Sequence, residues 1–313
     1  MYQIRMEYQP PNKTISFKKK CMYVIEYSLM RFVVLILKLI SWRMTYCFSR
    51  YLAYFMKNWG PRRRIVINNI EKCYHKATKV EKNKIIDDFY QSNADVICEN
   101  FKLYGMSTEN KAKTIDQKVT ITNPGLLSEL MKQHRSTLVI SSHYANWEWL
   151  GYKLAMIYDK RMHHPFKHLK NPFIDRYIFN TRTILGPTLT AHKSMMKVFL
   201  KTSRPNTNNK GQGFILLTDQ NPGASQETIT SEFMGQSTRC MIGPEKMAIQ
   251  TKSPMVYAKM NRVSRGQYTV ELIQLDSAND QYTVTDQVLK ILEQQTIDDP
   301  GCFLWAHDRW KER

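Results

Sequence analysis

Apolar residues recur at spacings of three and four between Val80 and Tyr104. Ile85, Ile86, Phe89, Tyr90, Ala94, Ile97 and Phe101 mark one face of a long helix. The period changes at residues 137–141 (Thr-Leu-Val-Ile-Ser), a short apolar run of strand length. A helical pattern resumes from Glu148 to Ile157, so strand, tight turn and helix follow in order. Further strands are predicted at Phe214–Thr218, Pro254–Met260 and Gln267–Ile273, with helices over 173–182, 191–201 and 243–251. Residues 203–213 (SRPNTNNKGQG) read as a polar loop, and no internal repeat appears. The alternation predicts an α/β domain over 61–313, with a mixed, largely parallel sheet flanked by helices.

The N-terminal part follows a different pattern. Residues 1–21 carry Pro10-Pro11 and end in a lysine run, which reads as a flexible basic arm. Residues 22–60 are richer in apolar and aromatic side chains, but Glu26, Arg31 and Lys38 interrupt the first half. The longest uncharged run there, Phe32 to Leu37, is far short of the roughly 20 residues that a spanning helix needs. No small-residue cleavage site follows, which argues against a signal peptide. Arg31 and Lys38 share one helical face, while Val33, Val34, Leu37 and Ile40 gather on another. That division predicts a helix lying at a membrane interface, with Trp42, Tyr46, Tyr51 and Tyr54 as aromatic anchors.

Composition narrows the partners. The 313 residues are 42% apolar or aromatic, enough for a large core, which excludes a disordered or collagen-like chain. Lys and Arg number 46 against 27 acids, a net +19 that attracts nucleic acid, an anionic membrane or an acidic protein. Cys21, Cys47, Cys73, Cys98, Cys240 and Cys302 are scattered, without a C-x-x-C pair. Such spacing suits neither a zinc site nor a disulfide framework, and it fits the reducing, cytosolic side. His163, His164 and His168 are interleaved with Arg161, Lys167 and Lys170, which would repel a cation. They read as a solvated or phosphate-facing basic loop, and no metal or cofactor is expected.

Candidate chemistry lies at the strand-to-helix turn Ser141-Ser142-His143-Tyr144-Ala145-Asn146-Trp147-Glu148. His143 and Glu148 are five residues apart, about 140° on a regular helix, so they cannot meet if both are helical. With His143 on the turn and Glu148 in the first helical turn, they can converge. Imidazole suits proton abstraction near neutrality, and a carboxylate would fix its tautomer. No G-x-S-x-G elbow and no cysteine lies beside His143, so the attacking hydroxyl belongs to the acceptor.

These residues resemble the H-x-G-N-W-E box of the bacterial lipid A biosynthesis acyltransferases, the late acyltransferases within the lysophospholipid acyltransferase group. Ala145 stands where that box has Gly, a change that keeps the turn if its φ is negative. Other blocks resemble the family in order: Arg64 to Glu71, Glu99, and Lys170 to Asp175 with Arg182 and Gly186. Asp219-Gln220-Asn221-Pro222 is similar to its D-Q box, and Phe233-Met234-Gly235, Thr238, Gly243-Pro244 and Ala248 to the segment beyond. Trp305 to Lys311 resembles a W-x-H-R-R-W-K ending, with Asp308 where a basic residue is usual. The resemblance runs from about Ile25 to Lys311.

It implies transfer of a fatty acyl chain from acyl carrier protein to a hydroxyl of a lipid A precursor, at the cytoplasmic face of the inner membrane. His143 would be the base and Glu148 its orienting acid. Asn146, Asn171, Arg182, Asp219 and Arg309 would contact substrate, with Arg182 gripping a phosphate or pairing with Asp175, and Asp219 orienting an arginine or the acceptor. An acidic carrier, an anionic glycolipid and inner-membrane lipid all suit a +19 chain. The alternative by the same chemistry is acylation of a lysophospholipid or an amino-acid lipid. A nucleic-acid binder would explain the charge, but no recognisable nucleic-acid motif is present and the cations are dispersed. A purely structural membrane-surface protein leaves the His143 box unexplained.

Overall fold

A computed structural model describes residues 8, 15–158, 161–204, 211–223, 226–276 and 283–311. Five helices open the chain: α1 (Phe17–Leu39), α2 (Trp42–Trp59), α3 (Arg63–Cys73), α4 (Lys79–Gly105) and α5 (Thr108–Lys118). Strand β1 (Val119–Ile121), α6 (Gly125–Gln133), β2 (Ser136–Ser141) and α7 (Trp147–Ile157) follow. Then come β3 (Met162–Phe166), α8 (Pro172–Thr183), β4 (Thr188–Ala191), α9 (Met195–Thr202) and β5 (Gln212–Leu217). The chain continues with the hairpin β6 (Thr228–Phe233) and β7 (Gln236–Met241), α10 (Gly243–Thr251), β8 (Met255–Ser264), β9 (Gln267–Leu275) and α11 (Thr283–Asp298).

Seven strands form one sheet in the order β1-β9-β8-β2-β5-β3-β4. Every neighbouring pair is parallel except β8 with β9, so the sheet is mixed and largely parallel. Central β2 is buried at all six positions, as a parallel strand covered on both faces must be. Its side chains alternate between two cores. Val139 joins the one built with α4 to α7, while Leu138 and Ile140 join Met195, Phe199, Met247, Val284 and Val288 from α9, α10 and α11.

Helix α4 is the long helix that the spacing predicts. Thr78 caps it with a reciprocal bond to Glu81, both partners satisfying backbone donors that the first turn leaves free. The N-terminal segment differs from expectation in two respects. The basic arm ends earlier, because α1 begins at Phe17; residues 1–7 and 9–14 lie outside the described residues. The segment 22–60 holds two helices, broken at Ser41, whose hydroxyl accepts from Met44 N–H to cap α2.

The stripe expected to face the membrane is also not the exposed one. Val34 and Leu37 are buried, and α1 packs on α4. Ile25, Leu29, Phe32, Ile36 and Leu39 instead form the outward stripe, continued by Phe48, Tyr51, Phe55 and Trp59 on α2. An α1 apolar on both sides allows either assignment from sequence, and packing on the domain decides it. Among the described residues no helix is long and apolar enough to cross a membrane.

Candidate active site

The register of the sheet builds the site. Parallel pairing sets Ser141 opposite Leu217, so the residues two further on, His143 and Asp219, leave adjacent strand ends side by side. Open α/β sheets bind ligands beyond such ends. Asp219 accepts from the His143 backbone N–H at 3.0 Å and lies 2.9 Å from ring Nδ1 through the same Oδ1. With a carboxylate there, Nδ1 carries the proton and donates, which leaves Nε2 unprotonated and able to accept. Gln220 Nε2 lies 3.4 Å from His143 Nε2, and the Trp147 ring meets the imidazole edge-on at 5.1 Å between centroids.

Electrostatics match this geometry. Burial alone would push the imidazole's pKa down, but Asp219's charge and hydrogen bond, with Glu148's charge, outweigh it and raise the pKa above the ordinary value. Asp219 is lowered despite its own burial, because His143 and its hydrogen bonds favour the charged form. The His143 side chain is 20% exposed and that of Asp219 3%. The imidazole is reachable and its partner is sealed.

The expected His143–Glu148 bond is not the one formed. Glu148 is taken by Arg182, whose Nε donates to Oε2 at 3.0 Å and whose Nη2 donates to Oε1. This pair lies close enough to the imidazole for its acid to act through charge alone. Nor does Arg182 pair with Asp175. That buried acid holds His168 Nδ1 at 2.7 Å and the Leu169 N–H at 2.8 Å.

The turn itself is pinned from three sides. Asn146 caps α7, its Oδ1 accepting from Trp149 N–H, while its Nδ2 donates to Glu99 at 2.7 Å. Glu99, fully buried on α4, also accepts from Tyr46 and Tyr268; burial raises its pKa while these hydrogen bonds oppose the rise. Ala145 donates its N–H to Cys302 O at 3.0 Å and has φ +51°. The negative φ under which an alanine would simply keep this turn is therefore not what occurs. Ala145 adopts the left-handed conformation that glycine reaches without steric cost.

Three residues expected to contact substrate have their polar atoms bound within the protein. Asn146 is one. Asn171 caps α8 through Phe173 and Ile174 N–H and donates to Tyr23 O and Glu26 on α1. Arg309, 4% exposed, donates to Asn221 Oδ1, Arg239 O and Cys240 Sγ. The histidine-rich stretch is a solvated loop only over residues 167–170, which include His168. His163 and His164 lie in β3, with His163 stacked on Phe214 at 4.4 Å and bonded to Thr190 and Gln212. Burial, helped by Arg182 and His163, pushes His164 down to about 3. Among the described residues no group of three His, Cys, Asp or Glu is placed to hold a metal ion.

Sequence reasoning missed Asp219 as the imidazole's partner. The available signal was its place at the end of a strand next to β2. A search of curated proteins gave no match to this chain. The family model for bacterial lipid A biosynthesis acyltransferases matches residues 14–312. Nearly the whole described fold, with both strand ends of the site, falls within that match, and the chain belongs to the bacterial lipid A biosynthesis acyltransferase family.

Proposed function

We propose that this enzyme transfers a fatty acyl chain from acyl carrier protein to a hydroxyl of a phosphorylated lipid A precursor, with His143 as general base. The observation that carries the proposal is the imidazole held by Asp219 through Nδ1, with an unprotonated Nε2 at the strand ends that meets the Gln220 amide at 3.4 Å. His143 Nε2 takes the acceptor hydroxyl's proton as its oxygen attacks the thioester carbonyl. The C–S bond then breaks, and the imidazolium returns the proton to the leaving thiolate. Asp219 and Glu148 both favour that imidazolium, so the burial that would oppose it is overcome. Arg182, anchored by Glu148 beside the base, supplies the positive charge that a phosphorylated acceptor would meet.

A membrane-surface setting at the cytoplasmic face belongs to the same reading. Its support is the outward apolar stripe of α1 and α2, together with the +19 charge. Each apolar side chain fully buried in lipid contributes about 1.5–3 kcal/mol, so F32S with L29S, which leaves the charge unchanged, should release the enzyme from anionic vesicles in a sedimentation assay.

The test of the activity is acyl transfer from acyl carrier protein to a lipid A precursor, together with mass spectrometry of lipid A from a deletion strain. The reading expects H143A to lose about 10²–10⁴-fold in kcat and the deletion to remove one acyl chain from lipid A. Unchanged lipid A with an altered phospholipid or aminolipid would move the acceptor to that lipid.

A further inference from the structure

His143 and Asp219 stand on loops that have already left the sheet. The last ladder contact between them is Thr218 N–H to Ser141 O at 3.1 Å. Beyond it, the chain from Cys302 to Trp310 bridges the two loops. On one side Cys302 O accepts from Ala145, and Tyr144 pairs with Phe303 in an isolated antiparallel bridge. On the other, Asn221 is engaged three times, two residues after Asp219. Its backbone N–H donates to His307 Nε2 at 3.0 Å, its Nδ2 donates to Asp308 O, and its Oδ1 accepts from Arg309. The segment is itself anchored. Asn69 on α3 donates to Trp305 O and His307 O, and Trp310 donates to Thr238 and stacks on Phe233.

We propose that residues 302–310 clamp the catalytic pair, and that His307 is a positioning residue which holds the Asp219 loop only while its Nε2 is unprotonated. The geometry requires this state, because an imidazole nitrogen that accepts a backbone N–H cannot carry a proton of its own. The charged groups facing His307 are Asp219 from the loop after β5, His143 from the turn after β2, Arg309 on its own segment and Arg62 before α3. Burial, the two arginines and His143 once it is protonated disfavour its protonation, and only Asp219 opposes them. His307 is thus neutral at neutral pH and gains its proton below the range in which His143 does. The clamp should open only on the acid side of the base's own titration.

This inference rests on reading His143 as the base, and the two fail separately in one set of assays. Wild-type log kcat should rise with a slope of about two at the lowest pH, where both histidines must lose a proton, and about one nearer neutrality. H307Q keeps an acceptor that does not titrate, so its acid limb should have a slope of about one throughout. H307A should lose about 10- to 100-fold in kcat at pH 8, the effect of an unmatched backbone N–H, with KM moving less than about threefold. A limb of the same steepness in H307Q and wild type would overturn the clamp, even if H307A fails to fold. Full activity in H143A would instead overturn the base assignment.

Discussion

Replacing Asp219 by Asn keeps the shape of the side chain and removes a charge 2.9 Å from His143 Nδ1. In the proposed mechanism the imidazole acts in its neutral form, so activity should be lost as pH falls through the His143 pKa, which lies above the ordinary 6.5. Without Asp219, burial pulls that pKa down against Glu148 alone. An opposite charge at this range favours the imidazolium, so without it the acid limb of kcat should move toward lower pH. The amide has a second effect. Its NH2 can donate to Nδ1, placing the ring proton on Nε2 and removing the lone pair that would take the acceptor's proton. A loss of about 10²–10⁴-fold in kcat on the plateau is expected. E148Q leaves the Nδ1 bond in place and removes only the smaller charge contribution, so its limb should move less. The assay is kcat for acyl transfer from about pH 5 to 9 in wild type and both variants. A larger displacement in E148Q than in D219N would refute the assignment, making Glu148 the imidazole's partner during turnover.

Two further outcomes follow from buried charges away from the site. Asp95 is fully buried and accepts from Arg262, Arg265, Ser49 and Gln91, so D95A would leave two largely buried guanidinium groups unpaired. A loss of about 3–5 kcal/mol in chemical denaturation is expected, and a loss below about 1 kcal/mol would show that water compensates them. Lys102 Nζ donates to Leu37 O and Ile40 O, the carbonyls left free at the end of α1. K102M should cost about 1–3 kcal/mol and speed amide exchange in the last turn of α1; unchanged exchange there would sink the capping role.

The parts of the fold that were legible are those whose period is set by burial on one or both faces. Helix α4 shows its stripe most clearly in its first half, where Ile85, Phe89 and Tyr90 are buried among exposed polar neighbours, whereas from Ser92 onward it is buried on nearly every side. Strand β2 reads as an unbroken apolar run because both sides are covered. Strand β3 carries Met162-His163-His164-Pro165-Phe166, in which two flat polar rings do the work of apolar ones, and composition points to a loop. Residues 191–201 were expected to be helical throughout, but Ala191 closes β4 and a short turn precedes α9. Helix α11 offers Val284, Val288, Leu289 and Leu292 at helical spacing, a signal present in the sequence itself.

The candidate site was legible as far as its local chemistry extends. His143 is recognisable because strand, turn and helix are contiguous, and the H-x-A-N-W-E spacing lies within one eye's reach of the sequence. That same proximity favours Glu148 as the partner, since a carboxylate five residues away is the nearest one available. The true contact spans 76 residues and depends on which strand lies beside β2. Strand order is a tertiary property: any parallel strand ending in an acid could in principle have supplied the charge. Once β5 is the neighbour, register alone brings Asp219 opposite His143, and Glu148 is released to hold Arg182. The arginines divide in the same manner. Arg182 and Arg309 carry equal charge in the sequence, yet one meets an acid near the His143 turn while the other is enclosed among carbonyls and a thiol. Only the packing around each decides whether its charge faces a substrate or holds a loop in place.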